Sequence, residues 1–96
     1  SNLFGGGRQE RVKDLLEKGA IIIDVRTPGE FQRAHNKGSQ NIPLPELKGK
    51  ISKIKAMNKP VVVCCASGVR SGQAKAMLER EGITVENAGG WRALQR

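Results

Sequence analysis

Pro60-Val61-Val62-Val63-Cys64-Cys65-Ala66-Ser67-Gly68-Val69-Arg70-Ser71 is the stretch on which the fold turns. The apolar run from Val61 to Cys64 is short, unbroken and largely β-branched. It reads as a strand buried on both faces, the habit of parallel sheets. Gly68 breaks the chain. From Arg70 the apolar positions change to helical spacing, with Ala74, Met77 and Leu78 turned inward and Gly82 at the end.

Upstream, Ala20-Ile21-Ile22-Ile23-Asp24-Val25 is a second run of the same kind. Ahead of it, Val12, Leu15 and Leu16 follow helical spacing, and Gly19 stops that helix. Behind it, Thr27-Pro28-Gly29-Glu30 is a helix start, with a capping threonine, proline at the first helical position and glutamate three residues after the cap. This helix is short and ends near Ala34. Gly38–Ile42 is a brief strand stopped by Pro43 and Pro45, and Leu47, Ile51 and Ile54 share one face of an amphipathic helix ended by Asn58 and Pro60. Downstream, Ile83–Glu86 is a further strand by β-branched content, and Gly89-Gly90-Trp91 opens a last short helix. Strands alternating with helices at this spacing predict an α/β fold: a central, mostly parallel sheet of four or five short strands flanked by helices.

With 96 residues the chain makes one domain. Residues 8–96 are assigned to it, and Ser1–Gly7, ending in three glycines, is expected to be a flexible lead-in. Hydrophobic residues at 38% and charged ones at 27% exclude a disordered chain. Aromatics reach only 3%, so the core must be built from Val, Ile, Leu, Met and Ala.

The formal net charge is +8, from 17 basic and 9 acidic residues. The densest basic run, Lys48–Lys59, is interrupted by Ile51 and Ile54 and has no interleaved aromatics, so no base-stacking platform and no specific nucleic-acid partner are expected. Cys64 and Cys65 are neighbours and cannot staple distant loops. With His35 the single histidine, a structural zinc site lacks ligands, and no metal is expected. No run approaches the roughly 18 apolar residues that span a bilayer. The expected setting is the cytoplasm, or the periplasm if a leader once preceded Ser1, and the expected state is a monomer.

In open parallel sheets, ligands bind at the carboxyl ends of strands. There, Ala66, Ser67, Gly68, Val69, Arg70 and Ser71 run from strand end to helix start. Backbone N–H groups of such a loop point inward, the helix dipole adds partial positive charge, and Arg70 adds a full one with a planar fork suited to oxyanions. A cysteine at the mouth of this cradle is expected as a thiolate at neutral pH. Cys65 is therefore the candidate nucleophile, and residues 66–71 the candidate substrate-binding loop. Counted from Cys64, the same run fits a phosphatase-like C-x-x-x-x-x-R-S pattern. That pattern wants glycine three residues after the nucleophile, where Cys64 offers Ser67 and Cys65 offers Gly68. Strand alternation also sets Cys64 beside Val62, as a core residue. Ser71 reads as a hydroxyl at the helix start. Asp24, Arg26 and Glu30 read as structural support, with Asp24 bonding backbone near the loop and Arg26 pairing with Glu30. His35 is a loop anchor or a substrate contact at the site's rim, and Trp91 packs over the core on that side.

Three separated segments resemble the rhodanese family. Asp24-Val25-Arg26, then Glu30-Phe31, His35 and Gly38-Ser39-Gln40-Asn41-Ile42-Pro43 resemble the first half of its signature. Cys65-x-x-Gly68-x-Arg70-Ser71 is similar to the six-residue active loop of single-domain rhodaneses, and Val85–Trp91 to the family's closing segment. The resemblance runs from about Ala20 to the C-terminus. It implies a sulfurtransferase that moves sulfane sulfur from a small anionic donor such as thiosulfate to cyanide or a thiol, through a Cys65 persulfide and without a cofactor. A phosphatase or arsenate-reductase-like enzyme sharing the anion cradle, and a non-catalytic module of the same fold, are the alternatives. The family places glycine before the histidine and an aliphatic residue after it, where this chain has Ala34 and Asn36. The family's short first strand has no clear counterpart before Arg8.

Overall fold

The computed structural model describes residues 7–95; most of the expected lead-in, residues 1–6, lies outside them. Among the described residues, four strands, β1 (Ile21–Asp24), β2 (Gln40–Asn41), β3 (Val61–Cys65) and β4 (Val85–Gly90), form one sheet in the order β2-β1-β3-β4. Every pairing is parallel. Helices α1 (Arg8–Glu17), α2 (Pro28–Arg33), α3 (Leu44–Leu47), α4 (Ile51–Ala56) and α5 (Val69–Arg80) flank it, and a 3-10 turn, Trp91–Leu94, closes the described chain.

The two faces of β3 carry the two halves of the core. Val61, Val63 and Cys65 face Leu47, Ile54, Ala74 and Leu78, from α3, α4 and α5. Val62 and Cys64 face Val12 and Leu15 of α1, with Trp91 and Leu94. All five strand residues are buried, as a parallel strand covered on both faces requires. The alternation of a strand thus sends the adjacent cysteines to opposite layers.

Local signals account for the elements around this strand. Thr27 and Glu30 form the capping box: Oγ1 of Thr27 accepts the Glu30 N–H at 3.2 Å, and Oε1 of Glu30 accepts the Thr27 N–H at 2.9 Å. Gly19 and Gly82 take positive φ after α1 and α5, the conformation that ends helices cheaply at glycine.

Three expectations need correction. The helix expected through Leu47, Ile51 and Ile54 is broken by a 3-10 turn at Lys48–Lys50, which carries Gly49. Its inward face survives the break, since Leu47 and Ile54 are both buried. The strand expected at Ile83–Glu86 begins two residues later and continues through Gly90, because Ile83 completes the turn out of α5, its N–H bonded to the Leu78 carbonyl at 3.2 Å. Glycines can extend β4 because it is aligned from outside: Cys64 and Cys65 lie opposite Gly89 and Gly90, after a bulge between Val63 and Cys64. Finally, Cys65 is the last residue of β3, and the loop beyond it is only Ala66–Gly68 before α5 begins at Val69.

Candidate active site

The loop after β3 wraps around the sulfur of Cys65. Gly68 donates its N–H to Sγ at 3.0 Å, Ser71 its N–H at 3.4 Å, and the Ser71 hydroxyl donates at 3.2 Å. This geometry depends on Gly68, whose φ of 109° lies in the left-handed region. A Cβ there would also stand 3.2 Å from Cα of Gly89. Cys65 itself is buried, with exposed Ala66, Ser67 and Val69 above it. The sulfur therefore lies at the floor of the cradle, where the sequence placed it at the mouth. Burial pushes the thiol pKa up, but hydrogen bonds from the Ser71 hydroxyl and the N–H groups of Ser71, Gly68 and Ser67 outweigh it and hold the pKa below its ordinary value.

Cys64 has the opposite environment. Burial first, and then the negative charge of Asp24, push its thiol up to about 12, so it stays protonated at neutral pH.

Ser71 is buried on the third residue of α5. Its hydroxyl serves the sulfur, whereas the helix's N-cap position is Gly68, which has no side-chain cap.

The supporting charges are partnered differently from the expectation. Asp24 pairs with Arg26, Nε lying 2.9 and 3.0 Å from the two carboxylate oxygens and Nη2 2.8 Å from one of them. Asp24 also accepts the Arg26 backbone N–H at 3.1 Å. Nη2 of Arg26 reaches the Ala34 carbonyl at 2.8 Å, tying the loop after α2 to the sheet. Arg26 touches Glu30 through its backbone carbonyl, at 3.5 Å. The Glu30 carboxylate instead takes Arg70, with Nη1–Oε1 at 2.8 Å and Nη2–Oε2 at 3.1 Å. Arg70, with the Thr27 N–H, draws the Glu30 carboxyl down to about 2.

The two rim candidates part company. Trp91 is buried beside Cys64, and the guanidinium carbons of Arg26 and Arg92 lie 4.7 and 4.6 Å from its ring centroid. His35 is exposed, stacks on Phe31 at 3.8 Å between centroids, and has Nδ1 2.7 Å from the Phe31 carbonyl oxygen. It lines a groove with Ile21, Ile22 and Lys59, at the ends where β1 and β3 begin, whereas Cys65 stands where β3 finishes.

Sequence reasoning missed two contributors. Asn87 donates from Nδ2 to the Gly68 carbonyl at 3.1 Å while Oδ1 accepts the Gly89 N–H at 2.8 Å, bracing the loop against β4. Gly90 allows close approach, since a Cβ there would lie 3.0 Å from the Ala66 oxygen. The pattern Asn87-x-Gly89-Gly90 was the available signal. Asn36, seen in the sequence as a departure, is buried and donates from Nδ2 to the Trp91 carbonyl at 2.8 Å.

The chain is 49% identical over 70 residues to the thiosulfate sulfurtransferase PspE of Escherichia coli, covering 71% of this chain and 67% of that one. It is 45% identical over 65 residues to the uncharacterised YqhL of Bacillus subtilis, covering 68% of this chain and about half, 51%, of YqhL. A solved structure of a rhodanese with anions from E. coli superposes with a TM-score of 0.71 at 43% identity, over 78% of this chain and 91% of that one. The rhodanese-like domain model matches residues 8–96, nearly the whole sequence, and the chain belongs to that family.

Proposed function

We propose that this rhodanese-domain protein is a sulfurtransferase of the thiosulfate type, with Cys65 as the sulfur carrier. The observation that carries the proposal is the convergence of two N–H groups and one hydroxyl on the Cys65 sulfur at 3.0 to 3.4 Å. The name of PspE, a thiosulfate sulfurtransferase, supports it.

The Cys65 thiolate attacks the outer sulfur of thiosulfate. A sulfur–sulfur bond forms to Cys65, and the bond to the sulfonate sulfur breaks with its electron pair, releasing sulfite. The negative charge now rests on the outer sulfur of a persulfide, beside the loop whose N–H groups already favour negative charge at the Cys65 sulfur. Cyanide or a thiolate then attacks that sulfur and leaves the Cys65 thiolate behind. Each displacement balances in charge and electrons, so the cycle calls for neither a redox partner nor a cofactor.

Mass spectrometry after thiosulfate treatment tests this. The peptide containing Cys65 should gain about 32 Da, reversibly with dithiothreitol. Cys65→Ser should lose the gain. Cys64→Ala should keep it, at a stability loss of about 1 kcal/mol. Sulfur carried on Cys64 would overturn the assignment.

A further inference from the structure

Arg70, in the first turn of α5 just after the active loop, has its charge already matched. Nη1 and Nη2 meet the two oxygens of Glu30 at 2.8 and 3.1 Å, a fork-to-fork pairing that orients both groups. Glu30 is fixed from its other side by the Thr27 cap. With its carboxyl drawn down to about 2, first by Arg70 and then by the Thr27 N–H, it is an anion at every working pH. The two side chains are 34% and 30% exposed, so the pair borders solvent. The sulfur is held by dipoles from Gly68 and Ser71 aimed at that one atom. Such a site stabilises one negative charge on sulfur, while the neighbouring cation, Arg70, is already matched by a carboxylate.

We propose that Glu30 is a positioning residue that sets the charge of the sulfur donor. By neutralising Arg70 it favours monoanionic donors, persulfides R–S–S⁻ and thiosulfonates R–SO2–S⁻, over dianionic thiosulfate. This rests on the sulfur-transfer proposal above. The bond changes are the same for each donor: the Cys65 thiolate takes the outer sulfur, and a thiolate, sulfinate or sulfite leaves with the electron pair. What differs is the second charge that would meet the Arg70–Glu30 pair, together with an organic group R. Val69, 70% exposed at the first position of α5, offers that group an apolar contact.

The test compares thiosulfate with methanethiosulfonate, which delivers the same sulfane sulfur with one charge fewer, using cyanide as acceptor. Glu30→Gln frees Arg70. The ratio of kcat/KM for thiosulfate to that for methanethiosulfonate should rise at least about fivefold, the scale of one extra charge about 4 Å away when screened as in bulk water. The rise should appear in the KM for thiosulfate and shrink at high salt. Arg70→Gln leaves the Glu30 carboxylate uncompensated and should lower the same ratio, which keeps the proposal testable if Glu30→Gln folds poorly. The double variant, neutral again, should restore the parent's ratio. A ratio blind to these changes, or a parallel loss with both donors, would reduce Glu30 to a support for the loop. A parent protein that turns over neither donor would instead overturn the sulfur-transfer proposal itself.

Discussion

Ser71→Ala removes the hydroxyl donor from the Cys65 sulfur and leaves the backbone N–H groups, Gly68 and Ser71 among them, in place. Hydrogen bonds to charged groups contribute about 1.5–3 kcal/mol, and one pKa unit corresponds to about 1.36 kcal/mol. At 3.2 Å to a large, diffuse sulfur atom, the lower end applies, and the loss is about one unit. Burial, which opposes ionisation, is then less well countered. The direct measurement is the rate of Cys65 alkylation by iodoacetamide against pH, in a Cys64→Ala background. Only the thiolate reacts, so the rising limb of the profile should move about one unit to higher pH. Well below the thiol's pKa the variant should react about tenfold more slowly, and well above it the two rates should meet. The sign carries over to stability. A thiol whose folded pKa is depressed stabilises the fold above its unfolded value, near about 8.5, and that stability is lost as pH falls through the folded value. Ser71→Ala should narrow this window by raising its lower edge. Superimposable alkylation profiles would refute the role given to the hydroxyl.

Two further outcomes test the frame around the sulfur. Gly68→Ala forces a side chain into φ of 109° and 3.2 Å from Cα of Gly89; it should cost about 1–3 kcal/mol in a thermal melt and slow persulfide formation at least about tenfold. Unchanged melting and unchanged rate would show that the loop tolerates another conformation. Asn36→Ala leaves the buried Trp91 carbonyl without its partner at 2.8 Å and should destabilise by about 1–3 kcal/mol. Trp91 is the chain's single tryptophan, so its fluorescence reports any loosening, and an unshifted spectrum with unchanged melting would count against the contact.

What could be read in the sequence depended on how far each contact reaches along the chain. The Thr27–Glu30 box spans three residues, and its residue types specify its geometry. The β-branched runs around Ile22 and Val62 announced buried parallel strands because nothing local competes with that conformation. By contrast, Glu30 meets Arg70 across 40 positions and Asn36 meets Trp91 across 55. Such pairings exist only once the sheet has brought α2, α5 and the C-terminal turn together. Arg26 seemed the natural partner for Glu30 at helical spacing, yet it lies outside α2, and its guanidinium turns to Asp24 two residues back. The strand through Gly89 and Gly90 was hidden for a related reason. Propensity argues against glycine in strands, but Gly89 takes a φ of 86° and Ala66 approaches Gly90 closely.

The two enzyme readings of the loop differ by a single residue, and strand geometry makes that residue matter. Starting the count at Cys64 gives the longer loop, which suits a tetrahedral phosphoryl group with three equatorial oxygens. Cys64, however, belongs to the layer of Val12, Leu15, Val62 and Trp91, whereas the N–H groups of Gly68 and Ser71 point at Cys65 in the other layer. To serve as the nucleophile, Cys64 would have to cross the sheet, and a one-residue slip of β3 would also turn Val61 and Val63 out of their core. Its thiol, pushed up to about 12 by burial and by Asp24, would have to lose a proton in surroundings that oppose the charge. Cys65 meets neither obstacle. Its sulfur is the atom on which the loop donors converge, at 3.0 to 3.4 Å, and counted from it the loop is the shorter of the two, whereas a phosphoryl group suits the longer. Alternation along one buried strand therefore both separates the two thiols and favours sulfur transfer over phosphate hydrolysis.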